Sequence, residues 1–293
     1  MDVLVTGGTG FIGEALCREL DERGHDVTAL SRSPGNTGLP PDVETVAGDV
    51  TDFGSISDAF EGQDAVYNLV ALSPLYDTRG DRTHDRVHLG GTENAVRAAE
   101  EAGVSRFVQM SALDADPAGP TAYLRAKGEA ETVVRESDLN WTIFRPSVVF
   151  GDGGEFIRFT KQLTTPYVTA LPGGGRTRFQ PIHREDLVHI LADGLGDDHV
   201  GETYEVGGPD VLTLAAVTKL AYRAEGKSVS ILPIPMSLAS VGLTVAGAIP
   251  FVPFGPDQAR SLRLDNTTSD NDIGAFDLGP EDLTTLREYL GVA

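Results

Sequence analysis

Val3-Leu4-Val5-Thr6-Gly7-Gly8-Thr9-Gly10-Phe11-Ile12-Gly13 decides the fold of this chain. A short apolar run leads straight into glycines at positions 7, 10 and 13. Leu16, Cys17 and Leu20 then supply the apolar face of a helix. The first glycine permits a tight turn after a strand. The second lets the backbone approach a ligand, and the third lets helix and strand pack closely. Strand, glycine loop and helix in that order are the geometry of a dinucleotide site, with the helix N-terminus offering N–H groups to a pyrophosphate. On this reading Gly7, Thr9, Gly10, Phe11, Ile12 and Gly13 contact a bound nucleotide.

Working outward, strand and helix signals alternate. Strands are predicted at residues 3–6, 26–31, 43–47, 65–72, 106–110 and 141–144. Helices are predicted at 14–23, 56–60, 92–102 and 122–137, two of them stopped by Gly24 and Gly103. Strands separated by helices pair in parallel through right-handed crossovers, so the fold class is α/β, a doubly wound parallel Rossmann sheet. The dinucleotide-binding domain is expected over residues 1–150, with a segment near 180–207 returning to it. Residues 151–293 are expected to form a smaller substrate or cap region. The ligand crevice of such a sheet lies outside the carboxyl ends of its strands. That draws attention to Ser31, Arg32, Ser33, Asp49, Val50, Ala71, Leu72, Ser111, Pro146, Ser147 and Val148.

The end of the second strand speaks to the type of nucleotide. An NAD site places an acid about 20 residues past the glycines, on the ribose hydroxyls. Here the chain reads Ala29-Leu30-Ser31-Arg32-Ser33, with no acid at the tip. A guanidinium can bind two oxygens of a 2′-phosphate at once, with Ser31 and Ser33 as further donors. NADP(H) is therefore expected over NAD(H). Asp49 and Val50 are placed to meet the edge and face of the adenine.

Ser111 closes the fifth strand, and Tyr123-Leu-Arg-Ala-Lys127 sets a tyrosine and a lysine one helical turn apart. With the glycine loop and Arg145-Pro146-Ser147-Val148-Val149-Phe150-Gly151, these residues resemble the short-chain dehydrogenase/reductase superfamily in its extended or atypical branch. Ser111-Ala-Leu-Asp-Ala-Asp-Pro117 and the 145–151 run are most similar to the branch named after the 39-kDa accessory subunit of respiratory complex I, which also holds nucleoside-diphosphate-sugar epimerase-like proteins. The resemblance is strong over about residues 1–195 and thin beyond. It implies catalysis by Ser111, Tyr123 and Lys127. Tyr123 would pass a proton to or from a substrate oxygen, Lys127 would lower the phenol pKa and hold the nicotinamide ribose, and Ser111 would bond the same substrate oxygen. The 145–147 stretch would line the nicotinamide side.

An NAD(P)-dependent oxidoreductase or epimerase acting on a small carbonyl or alcohol is the expectation. The alternative is a non-catalytic NADP(H)-binding accessory or redox-sensing protein of a respiratory complex, since the branch includes members that bind nucleotide without known turnover. One departure from the pattern is His88, where the family often carries Asn. His84-Asp-Arg-Val-His88 also has the spacing of a zinc-binding helix. No third ligand is evident and the middle acid is the short Asp, so no metal is expected. His183 and Asp186 are expected to brace a loop or cap a helix.

Composition narrows the partners. Forty-four acidic residues face 23 basic ones, a formal net charge of −21 in 293 residues. Such a surface repels nucleic acid and anionic membranes. Carboxylates spread along the whole chain match a salt-rich cytoplasm, where ions screen their repulsion. The single Cys17 excludes an internal disulfide. No basic-then-apolar leader precedes the first strand, which predicts a cytoplasmic protein. Residues 229–255 carry no charge, but prolines 233, 235, 250 and 253 confine any helix to about residues 236–249, too short for a membrane span. A buried or substrate-facing helix is the first reading. A peripheral membrane or respiratory-complex contact is the second. An apolar cap, with Phe156, Phe159, Tyr167 and Leu171, favours an apolar small-molecule substrate.

Overall fold

The computed structural model describes residues 1–35, 38–75, 80–235, 260–261 and 263–292. In chain order the elements that matter here are β1 (Asp2–Thr6), α1 (Gly13–Glu22), β2 (Asp26–Ser31), β3 (Glu44–Ala47), β4 (Ala65–Asn68), α2 (Gly90–Ala102), β5 (Arg106–Met110), α3 (Ala122–Arg135) and β6 (Asn140–Pro146). They continue with β7 (Val149–Phe150), α4 (Glu155–Leu163), β8 (Tyr167–Pro172), β9 (Arg178–Phe179), β10 (Ile182–His183), α5 (Arg184–Asp193) and β11 (Thr203–Val206). The last are β12 (Leu212–Thr213), α6 (Leu214–Arg223), β13 (Val229–Ile234) and α7 (Leu286–Leu290).

Seven strands form one sheet in the order β3-β2-β1-β4-β5-β6-β11. Every pairing from β3 to β6 is parallel. The strand order reverses between β1 and β4, which is where a doubly wound sheet opens its ligand crevice. β4 and β5 are buried at every residue, as parallel strands covered on both faces must be. Leu4, Val66, Phe107 and Ile143 from four strands share a core with Phe60, Ala99 and Val134. The α/β doubly wound class read from the sequence is the observed one.

Several boundaries differ, each for a local reason. The predicted helix at 56–60 is two 3-10 turns, Phe53–Ser55 and Ser57–Phe60. Asp52 accepts from the Gly54 amide at 3.2 Å, and Ser55 Oγ donates to Asp49 O and Asp52 O at 3.0 and 2.9 Å. Such side-chain bonds to nearby backbone compete with the α-helical ladder. β4 ends at Asn68 rather than 72, because its partner β1 turns away at Gly7. The helix predicted from 92 begins at Gly90 and is preceded by a π turn, Asp85–Leu89, marked by the Gly90 N–H on Asp85 O.

The chain divides into two compact units. One takes Met1–Leu72, Thr78–Pro146 and Leu187–Glu205, and the other Ser73–Asp77, Ser147–Asp186 and Val206–Ala293. In the second, β8 and β13 pair in parallel. Phe150, Phe156, Val217, Leu220 and Leu286 form its core. Asp186 there accepts from the Thr284 amide and hydroxyl at 2.7 and 3.2 Å, and His183 packs on Phe150 and Tyr289. Of the uncharged stretch, β13 is described, and the expected helix near 236–249 lies outside the described residues. Among the described residues no helix is long and apolar enough to cross a membrane.

Candidate active site

The loop after β1 turns where the sheet order reverses. Gly7 sits at φ +76°, a left-handed conformation that glycine adopts without a Cβ penalty. The Gly10 amide returns to Gly7 O at 2.9 Å, and Thr9, Phe11 and Ile12 complete the turn into α1. A Cβ on Gly13 would lie 2.2 Å from Gly7 O and 2.8 Å from Gly8 Cα, so only glycine allows the first turn of α1 to close on the loop. That turn leaves N–H groups without intrahelical partners, aimed at the crevice.

At the end of β2 the Ser31 hydroxyl is buried and has no hydrogen-bond partner. Arg32 and Ser33 beyond it are exposed. Arg32, Asp49, Asp52, Ser55 and Arg82 line a hollow of about 390 Å³. Asp49 Oδ1 accepts from the Thr51 amide and hydroxyl at 3.0 and 2.9 Å. Val50 is buried, its carbonyl accepting from Asn94 Nδ2 at 2.7 Å. A buried orphan donor, a glycine cradle and a helix N-terminus at one crevice fit a dinucleotide. The Gly7–Gly13 loop would hold its pyrophosphate, and Ser31, Arg32 and Asp49 its adenosine end.

The chemical end is built on one face of α3. Tyr123, Lys127 and Glu131 follow one another at helical spacing. Lys127 Nζ donates to Met110 O at 2.8 Å, and Ser111 Oγ donates to Glu131 Oε1 at 2.5 Å, so the stripe grips the end of β5. Glu131 is buried, yet two guanidiniums reach it. Arg145 binds both oxygens, at 2.8 and 2.6 Å, and Arg135 adds a contact at 2.9 Å. Tyr123, half-buried, stands edge-on to the rings of His84 and His88, with centroids 5.5 and 5.3 Å away. The two histidines stack at 5.4 Å. His88 Nε2 accepts from the Leu72 amide at 3.3 Å, so the neutral ring carries its proton on Nδ1. Among the described residues no group of three metal-ligating side chains forms around them.

Charge at this face follows burial. Lys127 is pushed down to about 8 by loss of water, with Glu131 holding it up in part. Burial, then Lys127 and His84, hold His88 well below the usual histidine range. Burial pushes the Tyr123 phenol up.

The other expected contacts divide. Ala71 and Leu72 follow β4, with Ala71 exposed and the Leu72 amide engaged by His88. Pro146 ends β6. Ser147 and Val148 belong to the second unit, where Asn266 Oδ1 accepts from the Ser147 hydroxyl and the Val148 amide, both at 2.8 Å. Sequence reasoning missed Glu131, an acid on a helix whose burial no local signal marks. It also missed a buried polar ladder beneath the crevice. In it Thr6 donates to Asn68, which donates to Thr92 and Gln109.

Fold and site together define an NAD(P)-binding Rossmann protein. A family model described as NAD(P)H-binding matches residues 7–198, and the chain belongs to that family. It is 31% identical over 293 aligned residues to NADH dehydrogenase (ubiquinone) 1 alpha subcomplex subunit 9, mitochondrial, of Arabidopsis thaliana, covering 94% of this chain and 72% of that protein. It is 30% identical over 219 residues to a 3 beta-hydroxysteroid dehydrogenase/Delta 5→4-isomerase of Mycobacterium tuberculosis, covering 65% of this chain and 59% of that one. A nucleoside-diphosphate-sugar epimerase structure from Staphylococcus aureus superposes with a TM-score of 0.75 at 17% identity, covering 99% of each chain. At that identity the likeness concerns the fold alone.

Proposed function

We propose that this protein is an NADP(H)-dependent oxidoreductase or epimerase-type enzyme acting on a small carbonyl or alcohol. The observation that carries the reading is the stripe Tyr123-Lys127-Glu131 on α3, gripping Met110 and Ser111 at the end of β5. Arg32 and the orphan hydroxyl of Ser31, with no acid at the tip of β2, favour NADP(H) over NAD(H). The nicotinamide cofactor, when bound, supplies or takes the hydride. Burial keeps Tyr123 protonated at neutral pH, so the phenol acts as an acid toward a substrate oxygen that gains charge. Lys127⁺ lies one turn away and favours that transfer. Ser111 has its own proton on Glu131 and therefore meets any other partner as an acceptor, from the phenol or from a substrate hydroxyl.

A salt-rich cytoplasm is the setting that the net charge of −21 favours. Phe156 packs into the core of the second unit and Phe159 is buried as well, so the aromatic residues of α4 lend no support to an apolar substrate. The second reading, a nucleotide-binding accessory protein of a respiratory complex, draws on the similarity to the Arabidopsis subunit.

One experiment separates the two. The protein is purified in high salt, its nucleotide exchanged, and NADPH oxidation followed with a panel of aldehydes and ketones. Turnover that falls by about 10²–10⁴ in Tyr123→Phe supports the enzyme. Nucleotide that stays bound and unchanged with every carbonyl, together with a silent Tyr123→Phe, overturns it in favour of the accessory role.

A further inference from the structure

Arg82 stands outside every motif that points to a nucleotide. It follows β4 at a distance in sequence, just before the π turn, and no local pattern marks it. The structure brings it to the tip of β3, where its Nη2 lies 3.6 Å from Asp49 Oδ2. There it shares the hollow of about 390 Å³ with Arg32.

The groups lining that hollow are not equally available. Asp52 turns its Oδ1 to the Gly54 amide, and Ser55 is bonded to the backbone of its own turn. Asp49 Oδ1 is occupied by Thr51, which leaves Oδ2 facing Arg82. Two carboxylates thus offset two guanidiniums. A phosphate dianion entering beside Arg32 alone would meet a hollow of net negative charge.

We propose that Arg82 is the second jaw of a two-arginine clamp for the 2′-phosphate of NADP(H). The clamp rests on the NADP(H) reading above. On binding, the guanidinium exchanges Asp49 for phosphate oxygens, and Asp49 Oδ2 is released toward the adenine. Magnitudes favour that exchange. The Arg82–Asp49 pair is half exposed, with side chains 50% and 37% accessible, and a pair of this kind is worth little in water. A guanidinium on a phosphate makes charge-assisted bonds of about twice the ordinary strength. Arg82 thereby holds the phosphate, and its charge keeps the two nearby carboxylates from leaving the hollow net negative around Arg32.

The test is equilibrium binding at one fixed salt concentration, with NADPH, NADH, and the pair 2′,5′-ADP and 5′-AMP, which differ only in the 2′-phosphate. In wild type NADPH should bind more tightly than NADH. Arg82→Ala should weaken NADPH and 2′,5′-ADP by about 10- to 100-fold while NADH and 5′-AMP stay within about threefold. Arg82→Lys, which keeps the charge and loses the fork, should fall between. If Arg32→Ala abolishes the preference and Arg82→Ala leaves it within about twofold, the clamp is overturned and the NADP(H) reading stands. If wild type shows no preference for NADPH, both fall together.

Discussion

Lys127 is an ammonium held away from water, with one proton on the Met110 carbonyl and its titration lowered to about 8. In the unfolded chain the same group titrates near 10.4. Between these values the unfolded state binds the proton and the folded state does not, so this group makes folding more favourable as pH rises. We expect the wild type to gain about 1.4 kcal/mol per pH unit relative to Lys127→Met between pH 8 and 10. Urea unfolding of both proteins across that range measures it, and parallel stability curves would sink the assignment. Ser111, Tyr123 and Lys127 were picked out in the sequence because together they match a known pattern. Glu131 was not, since an acid on a helix is ordinarily solvated. Arg135, one turn on, and Arg145, which approaches from β6 and binds both oxygens, make the burial of Glu131 tolerable, and nothing local to α3 announces that strand.

At the scale of elements, β5 is tied down from its start as well as its end. The buried Arg106 guanidinium donates to the carbonyls of Asn140, Gly194, Leu195 and Gly196 and to the Thr142 hydroxyl, at 2.7–3.3 Å. It fastens the turn after α5 to the sheet. Arg106→Met should lower unfolding free energy by about 3 kcal/mol or more, because several buried carbonyls lose their donor together. Arg106→Lys should recover only part, as one ammonium cannot span them. A loss under about 1 kcal/mol in chemical denaturation would show that water replaces the guanidinium without penalty. Strands and long helices were readable from hydrophobic period, as β1, β5 and α3 attest. The 3-10 turns at Phe53–Phe60 and the π turn were not, because hydrogen bonds decide them and periodicity does not record those.

For the whole molecule, alternating strand and helix signals were enough to give the doubly wound sheet and its crevice. What pairs across long sequence distance, such as Arg82 with Asp49, had no counterpart in any window. Charge acts at this scale too. With 44 acidic against 23 basic residues, self-repulsion opposes compaction in dilute buffer. Raising KCl from about 0.1 M to 1 M shortens the screening length from about 10 Å to 3 Å. The unfolding temperature should climb by several degrees over that range, and scanning calorimetry reads it. A flat or falling profile would remove salt adaptation from the account.

The π turn at Asp85–Leu89 has a further consequence. Such a turn holds about one residue more than α-helical winding would use. The helix leading into α2 therefore carries a phase slip, and the residues on either side are indexed to different faces. Rewinding the same residues as regular α-helix, with none removed, would swing everything upstream by about 100°, carrying His84 off Tyr123 while the buried face of α2 stayed in register. The wall beside the tyrosine is thus a matter of counting as much as of composition. A relative one residue shorter here and wound as plain α-helix would present the same wall, whereas one of equal length without the π turn would not.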